Sequence, residues 1–390
     1  MTKNSTLATP SGDDLVAAVR AWTFDVALPF WARQGMDPRG GPQESLMLNG
    51  APSDADFKRT RVIARQTYVF SHAALMGWDG GEACAHDCYR TLTKCWQGPL
   101  SGWARTLAAD SLFVKDAATD LYDTAFALFA LCWYYRLTRS EEALKLAHET
   151  LDFIDARMRH PNGKGFLHVI PAVGWRQQNP HMHLLEAALV GVEACGHARF
   201  ADLARELIEL FRTYFFDAES ASLFEYFTED WARAPGADGA LTEPGHQFEW
   251  AWILGRASSL LGMDLGAEAK GLVYGAETKG VSSDGLTYNT VTGGGEPIDL
   301  GSRTWPNTER IKGHIAMFEM FGADPRPAVD SSVAILFQNH LAHAPNGAWI
   351  DLFDANRQPL SKQIPTSTLY HLFLAFAEIM RVGDRLRALP

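Results

Sequence analysis

Two histidines, His183 and His246, lie in matching local sequences separated by about 60 residues. Each follows a proline at the start of an apolar run with helical spacing, and each has a glutamate three residues later, Glu186 and Glu249. On a helix, positions i and i+3 share a face, so the glutamate can accept the Nδ1 proton and leave Nε2 as a base. The pattern predicts acid–base chemistry; an ordinary surface ion pair is the alternative.

Nearly the same interval reaches further polar residues along the chain. Taken backward from His183 it leads to Tyr122, and taken forward from His246 it leads to Glu309 and then to His371. If these positions begin successive helices of a ring, their side chains converge. The recurrence therefore predicts one site assembled from a chain of repeats.

Helical periodicity dominates the sequence and supplies the elements that must position these residues. Second helices of successive pairs begin near 56, 120, 181, 245, 308 and 366, a period of about 60 residues. Six such hairpins can close into an all-α (α/α)6 barrel with the second helices inside; an open solenoid is the alternative. We favour closure because the polar residues recur in register. The predicted helices cover 13–34, 56–78, 82–97, 120–138, 141–158, 181–197, 199–216, 245–262, 264–279, 308–322, 326–342 and 366–382.

The loops between the predicted helices also repeat. Turn signals such as Asn162-Gly163 and Asp284-Gly285 precede short alternating apolar runs. These runs predict short β-hairpin-like loops gathered at one mouth of the barrel. No linker interrupts the pattern, so we expect a single catalytic domain over 1–390, with 1–12 as a flexible N-terminal tail.

Composition restricts the function classes. The chain has 390 residues, 47% of them hydrophobic, and a net charge of −11, which argues against nucleic acid or an anionic membrane as the main partner. No secretory signal or membrane-spanning run is visible, and the five cysteines form no disulfide framework. We therefore expect a soluble cytoplasmic protein that acts on a small molecule; the sequence does not indicate its oligomeric state.

Metal and cofactor chemistry are not expected. His181, His183, Glu186 and His246 are suitable ligands by type, but i and i+2 on a helix project about 200° apart, which disfavours a shared ion. The sequence contains no dinucleotide-binding glycine motif after a strand, no Walker A motif and no nucleophile elbow. Histidines, carboxylates and tryptophans suit cofactor-free acid–base work on a polar ligand.

In the segments that contain these histidines, tyrosines and carboxylates, the chain resembles the N-acylglucosamine 2-epimerase superfamily of (α/α)6 barrels. The segments HMHLLEA (181–187) and PGHQFEWAWIL (244–254) are most similar to its D-mannose isomerase branch. Cellobiose epimerases keep something similar to the first segment. The other matching stretches are RQTYVFS (65–71), LYDTAF (121–126), RTWPNTE (303–309) and STLYH (367–371).

The resemblance implies site residues. It assigns His246 and His371 as the catalytic acid–base pair. It assigns substrate binding to Arg65, Tyr122, Asn179, His183, Glu249, Trp305 and Glu309.

The activity that the resemblance implies is cofactor-free interconversion of D-mannose and D-fructose, with D-lyxose and D-xylulose as further substrates. The C2 proton would pass to neutral His246, giving a cis-enediol, while His371 assists ring opening or moves the oxygen-bound proton. The alternatives are a sugar 2-epimerase of the cellobiose or N-acylglucosamine type, a sulfoquinovose isomerase and a non-catalytic carbohydrate-binding protein. A glycoside hydrolase would require paired carboxylates where this chain has histidines. Arg65 and Lys312 are candidate anion-binding residues.

Overall fold

Twelve helices form in the computed structural model, which describes residues 14–342 and 344–390. The predicted flexible tail falls outside these residues. The helices are α1 (Leu15–Gln34), α2 (Thr60–Leu75), α3 (Gly81–Leu92), α4 (Leu121–Thr138), α5 (Glu141–Phe153), α6 (Asn179–Cys195), α7 (Ala198–Leu210), α8 (Pro244–Leu261), α9 (Gly266–Gly280), α10 (Thr304–Phe321), α11 (Arg326–Ile335) and α12 (Leu369–Arg387). Helix α1 contains a π-helical stretch, and α5, α7 and α11 each continue into a π-helical turn.

The even-numbered helices form a closed inner ring. Each contacts the next in chain order, and α12 contacts α2, which closes the ring. Inner helices such as α4 are buried on nearly every face, as expected for helices surrounded by others. The structure therefore confirms the (α/α)6 barrel with the predicted second helices inside.

The helical pairs differ from those expected. Of the outer helices, the one that follows an inner helix packs against it more closely than the one before it, for α2 to α10. The connections from inner to outer helix are short, whereas those from outer to inner helix carry the long loops. The ring is completed when α1, the first outer helix, packs against α12, the last inner one.

Sixteen short strands lie in the long loops of the described chain. Most pair with the loop of a neighbouring repeat, as β5 does with β6 and β1 with β16, so they link the repeats around the mouth. The predicted local turns also form: Arg159 bridges Phe166, and Val281 bridges Thr287. The strands are β1 (Ser45–Met47), β2 (Phe57–Arg59), β3 (Thr106–Ala108), β4 (Val114–Asp116), β5 (Thr119–Asp120), β6 (Val169–Ile170), β7 (Arg176–Gln177), β8 (Phe216–Asp217), β9 (Ser222–Leu223), β10 (Tyr226–Phe227), β11 (Leu241–Thr242), β12 (Thr290–Thr292), β13 (Pro297–Asp299), β14 (Ser302–Arg303), β15 (Leu352–Phe353) and β16 (Gln363–Pro365).

Helix α1 is long and apolar enough, by length and composition alone, to cross a membrane. In the barrel its apolar face is buried in the outer ring. Trp22 packs edge-on against Phe376 of α12, and Trp31 stacks on Trp349 at 4.9 Å between ring centroids. Its apolar residues are therefore used in closing the barrel.

Candidate active site

The first turns of the inner helices converge on one cavity. Its empty volume is about 880 Å³, and it lies at the mouth that the strands surround. All predicted site residues line it except Glu309, which is fully buried below. The lining residues are Arg59, Arg65, Tyr122, Asn179, His183, Glu243, His246, Glu249, Arg303, Trp305, Asp351, Pro365, Ser367, Thr368 and His371.

His246 has a different carboxylate partner from the one expected. Its Nδ1 lies 3.0 Å from Glu225 Oε1, in the loop before β10, and 3.9 Å from Glu243 Oε2. Glu249, the predicted partner one turn later, approaches the buried Lys312 instead, at 3.8 Å. The prediction of an i,i+3 pair was therefore wrong here, because the loop brings a closer carboxylate to the ring.

His183 does form the predicted pair. Its Nδ1 lies 3.1 Å from Glu186 Oε2, and the hydroxyl of Tyr370 donates to the same carboxylate at 2.6 and 2.7 Å. The ring also packs edge-on against Tyr122, with centroids 5.0 Å apart. His183 is thereby held with one ring nitrogen free.

His371 pairs with a residue of the preceding repeat. Its Nδ1 lies 2.8 Å from Glu309 Oε1. Because Glu309 is fully buried outside the cavity lining, its predicted role in substrate binding is replaced by a role in holding His371.

Trp305 lies between the two candidate acid–base groups. Its ring centroid is 5.0 Å from that of His246 and 5.6 Å from that of His371. Gly245 permits this packing, since a Cβ there would lie 2.5 Å from Trp305 Cζ3. The indole thus fixes the spacing of both histidines.

Arg65 supplies a nearly buried positive charge, only 5% exposed. It donates to the Tyr122 hydroxyl at 2.7 Å, and its guanidinium lies 4.2 Å from the centre of the Phe126 ring and 4.9 Å from that of Tyr370. Within the described chain it forms no ion pair with a carboxylate. Its charge is therefore available to a ligand.

The surroundings of the two histidines shift their pKa values in opposite directions. Burial favours neutral His246, but the charges of Glu225 and Glu243 outweigh it and raise its pKa to about 10. Burial, with the nearby charges of Arg65 and Lys312, lowers the pKa of His371 well below its usual value. At neutral pH these shifts favour protonated His246 and neutral His371, an arrangement typical of acid–base pairs.

Sequence reasoning missed several residues of the site. Glu225 lies in one of the repeated loop runs, but nothing in that run indicated a contact with His246. Arg303 and Asp351 also line the cavity. Lys312, a candidate for anion binding, has a fully buried side chain and lies 2.6 Å from Glu309 Oε2, so the prediction that it binds an anion was wrong.

Three groups of side chains in the described chain are spaced closely enough to share a metal ion. Glu249, Glu309 and His371 form one, but the Lys312 ammonium already lies against both glutamates. The expected divergence of His181 and His183 is observed: His181 Nε2 accepts from the Phe166 amide at 3.1 Å, away from the cavity.

The fold and site together define an (α/α)6 barrel in which histidines and carboxylates converge on one polar cavity. A family model described as N-acylglucosamine 2-epimerase (GlcNAc 2-epimerase) matches residues 40–375. The chain belongs to this family.

Named relatives narrow the class of activity. A mannose-6-phosphate isomerase from Rhizobium meliloti (strain 1021) is 34% identical over 368 residues, which cover 92% of this chain and 95% of that one. A cellobiose 2-epimerase from Bacteroides fragilis is 26% identical, covering 83% and 86%. A solved D-mannose isomerase superposes with a TM-score of 0.84 at 19% identity, covering 96% and 99%. The chain is a sugar isomerase, and the predicted likeness to mannose isomerases is confirmed.

Proposed function

We propose that the protein interconverts D-mannose and D-fructose, with D-lyxose and D-xylulose as further substrates, without a metal or organic cofactor. The observation that carries this proposal is the opposite charge preference of two histidines on one cavity. Each has its Nδ1 against a carboxylate, so each can present Nε2 to a sugar.

The proposed chemistry moves one proton between neighbouring carbons. After ring opening, Nε2 of neutral His371 removes the C2 proton while protonated His246 gives a proton to the carbonyl oxygen, and a cis-enediol forms. His371 then returns its proton to C1, and His246 recovers a proton from the C2 hydroxyl as the ketone forms. These roles reverse the expectation that neutral His246 accepts the C2 proton, because Glu225 and Glu243 keep His246 charged.

Asn179 lines the cavity, and its Oδ1, which has no hydrogen-bond partner among the described residues, can accept from a sugar hydroxyl. Arg65 is suited to stabilise the developing oxyanion, because it is nearly buried and has no carboxylate partner in the described chain. One preorganised donor of this kind is often worth about 3 kcal/mol in the transition state. Tyr122, His183, Glu249 and Trp305 complete the proposed sugar contacts, while Glu309 acts through His371.

The decisive test incubates EDTA-treated protein with D-mannose in D₂O and follows the products by NMR. Fructose as the product supports the proposal, and deuterium at its C1 measures how far the proton held on His371 exchanges with solvent before it is returned. Glucose without fructose would instead identify a 2-epimerase, which reprotonates C2 from the other face. No turnover of mannose, cellobiose, N-acylglucosamine or sulfoquinovose, with sugar binding intact, would favour a carbohydrate-binding protein.

Substituting either histidine should separate binding from chemistry. His246→Ala and His371→Ala should keep the fold and bind mannose, but lose about 10²–10⁴-fold or more in kcat. His148→Ala, a histidine on outer helix α5 away from the cavity, is the control. If either site variant kept a tenth of wild-type kcat, its assigned role would be wrong.

A phosphorylated hexose is a second candidate substrate. Arg303 lines the cavity, is solvent-exposed and forms no ion pair with residues 14–342 or 344–390. It is thus free to meet an anionic substituent, and the relative from Rhizobium meliloti is named for mannose 6-phosphate. If the phosphate ester is the substrate, Arg303→Gln should lower kcat/KM for it at least tenfold, about 1.4 kcal/mol, and leave that for free mannose unchanged.

We also propose a cytoplasmic location and a single catalytic domain. All five cysteines are free thiols, which suits a reducing compartment. The inner helices of one ring and the long loops between its repeats together line the cavity, which supports a single domain.

A further inference from the structure

A cluster of three buried carboxylates lies at and beneath the floor of the cavity, with Glu249 in its lining. Glu186, Glu249 and Glu309 are 3%, 1% and 0% exposed. Lys312 is buried with them, one turn after Glu309 on α10. Its Nζ lies 2.6 Å from Glu309 Oε2 and 3.8 Å from Glu249 Oε1. Burying a cation is costly unless it is paired, so this lysine requires an explanation.

Lys312 is placed to act on the site indirectly. It is absent from the cavity lining, and its Nζ is covered by Trp252, whose ring centre is 4.4 Å away. The other oxygen of its partner Glu309 lies 2.8 Å from His371 Nδ1. An unbroken chain of contacts thus runs from the ammonium, through one carboxylate, to the ring proposed as the base.

The proton between Glu309 and His371 has two possible positions. On Nδ1 it leaves a lone pair on Nε2, which faces the substrate as a base. On Glu309 Oε1 it makes Nδ1 the acceptor; the ring then stays neutral only by taking up a second proton from solvent on Nε2, which cannot accept another. Burial and the Glu249 charge raise the pKa of Glu309 well above its usual value, and the Lys312 charge opposes this rise.

We propose that Lys312 is a positioning residue that keeps the shared proton on His371 Nδ1 by holding its positive charge against Glu309 Oε2. The inference rests on the proposed function, in which His371 Nε2 accepts the substrate proton. Without the ammonium, the shared proton moves to the carboxylate, Nε2 takes up a further proton from solvent in place of the lost positive charge, and the base is lost, although no residue that touches the sugar has changed.

The test replaces the charge and observes the ring. Lys312→Met keeps the chain length; Lys145→Met, at an exposed lysine of α5, is the matched control. In protein labelled with ¹⁵N-histidine, the His371 signal, assigned by its loss in His371→Asn, should show Nε2 unprotonated in the wild type and protonated in Lys312→Met. Turnover should fall about 10²-fold or more with sugar binding retained.

The nitrogen signals keep this test separate from that of the proposed function. They need no turnover, so they report on Lys312 even if the wild type isomerises no sugar. A His371 Nε2 that stays unprotonated in folded Lys312→Met would overturn the inference.

A second comparison covers the case in which Lys312→Met fails to fold. An amide at position 309 cannot take a proton from Nδ1, so Lys312 should no longer matter in a Glu309→Gln background. The kcat values of Glu309→Gln and Glu309→Gln/Lys312→Met should then agree within about threefold. A further loss of tenfold or more in the double variant would show that Lys312 acts by another route.

Discussion

The charge of each active-site histidine follows from the carboxylates around it. Glu225 and Glu243 both approach Nδ1 of His246, with no lysine or arginine ion-paired to Glu225 or Glu243 in the described chain. His371 faces Glu309, whose charge is shared with Lys312. Two similar rings on similar helices thus acquire opposite roles, which makes pH the most direct probe.

Activity should rise and then fall with pH. His371 must be neutral, so kcat/KM should increase as the pH rises through its lowered pKa, on the acid side of 6.5. His246 must be protonated, so kcat/KM should decrease as the pH passes about 10. In Glu225→Gln the limb at high pH should move down by about 1–3 units, because an opposite charge beside the ring is lost.

The control for this pH profile is Glu229→Gln, which removes a carboxylate 2.6 Å from His160, outside the cavity. It should leave both limbs in place. An unchanged high-pH limb in Glu225→Gln would mean that Glu225 does not maintain the charge of His246.

Gly245→Ala should damage catalysis through Trp305. The new Cβ would lie 2.5 Å from the indole, which must move and so release the spacing of the two histidines. We expect kcat to fall about 10²-fold, as for other small misplacements of reacting groups. Gly255→Ala on the same helix, with its nearest contact at 3.2 Å, should retain activity. Equal kcat values for the two variants would contradict the argument.

Recurrence in the sequence was enough to find the three histidines of the cavity, but of their carboxylate partners it identified only that of His183. His183, His246 and His371 recur in register with the repeats, so their convergence follows once the ring closes. The contact with Glu225 depends on the path of a loop, which no period encodes. The burial of Lys312 depends on side-chain direction inside the barrel, which helical spacing alone does not give.

At the scale of elements, the 3.6-residue period predicted all twelve helices because each has an apolar face to bury. Some starts differ by several residues: α2 begins at Thr60 because Phe57–Arg59 forms a strand. The strand pairs were harder to predict. β5 and β6, for example, belong to different long loops and meet only because neighbouring repeats lie side by side.

Contacts between paired helices give a prediction about stability. Gly191 of α6 faces Phe200 of α7, and a Cβ there would lie 2.2 Å from the ring. Gly191→Ala should therefore lower the free energy of unfolding by about 1–3 kcal/mol, although alanine is the better helix former. Urea denaturation measures this loss, with Gly255→Ala expected to change stability much less. A stabilised Gly191→Ala would show that the two helices separate at little cost.

At the scale of the whole molecule, the barrel depends on a contact between the two ends of the chain. The inner ring closes where α12 meets α2, and α1 covers the outside of α12. Because His371 lies on α12, this closure also places one of the two proposed catalytic groups.

Substitution of Trp31 tests how much the packing of α1 contributes to closing the barrel. Trp31 is 1% exposed, stacks on Trp349 and donates from Nε1 to the Gly347 carbonyl at 2.9 Å. Trp31→Ala should cost about 3–5 kcal/mol and lower the melting temperature by roughly 5–15 °C. Because Trp31 lies outside the cavity, kcat per folded molecule at low temperature should stay within about threefold. Trp175→Ala, at a partly exposed tryptophan, is the control and should change stability little. Loss of activity without loss of stability would show that α1 acts on the cavity itself, and not only on closure of the ring.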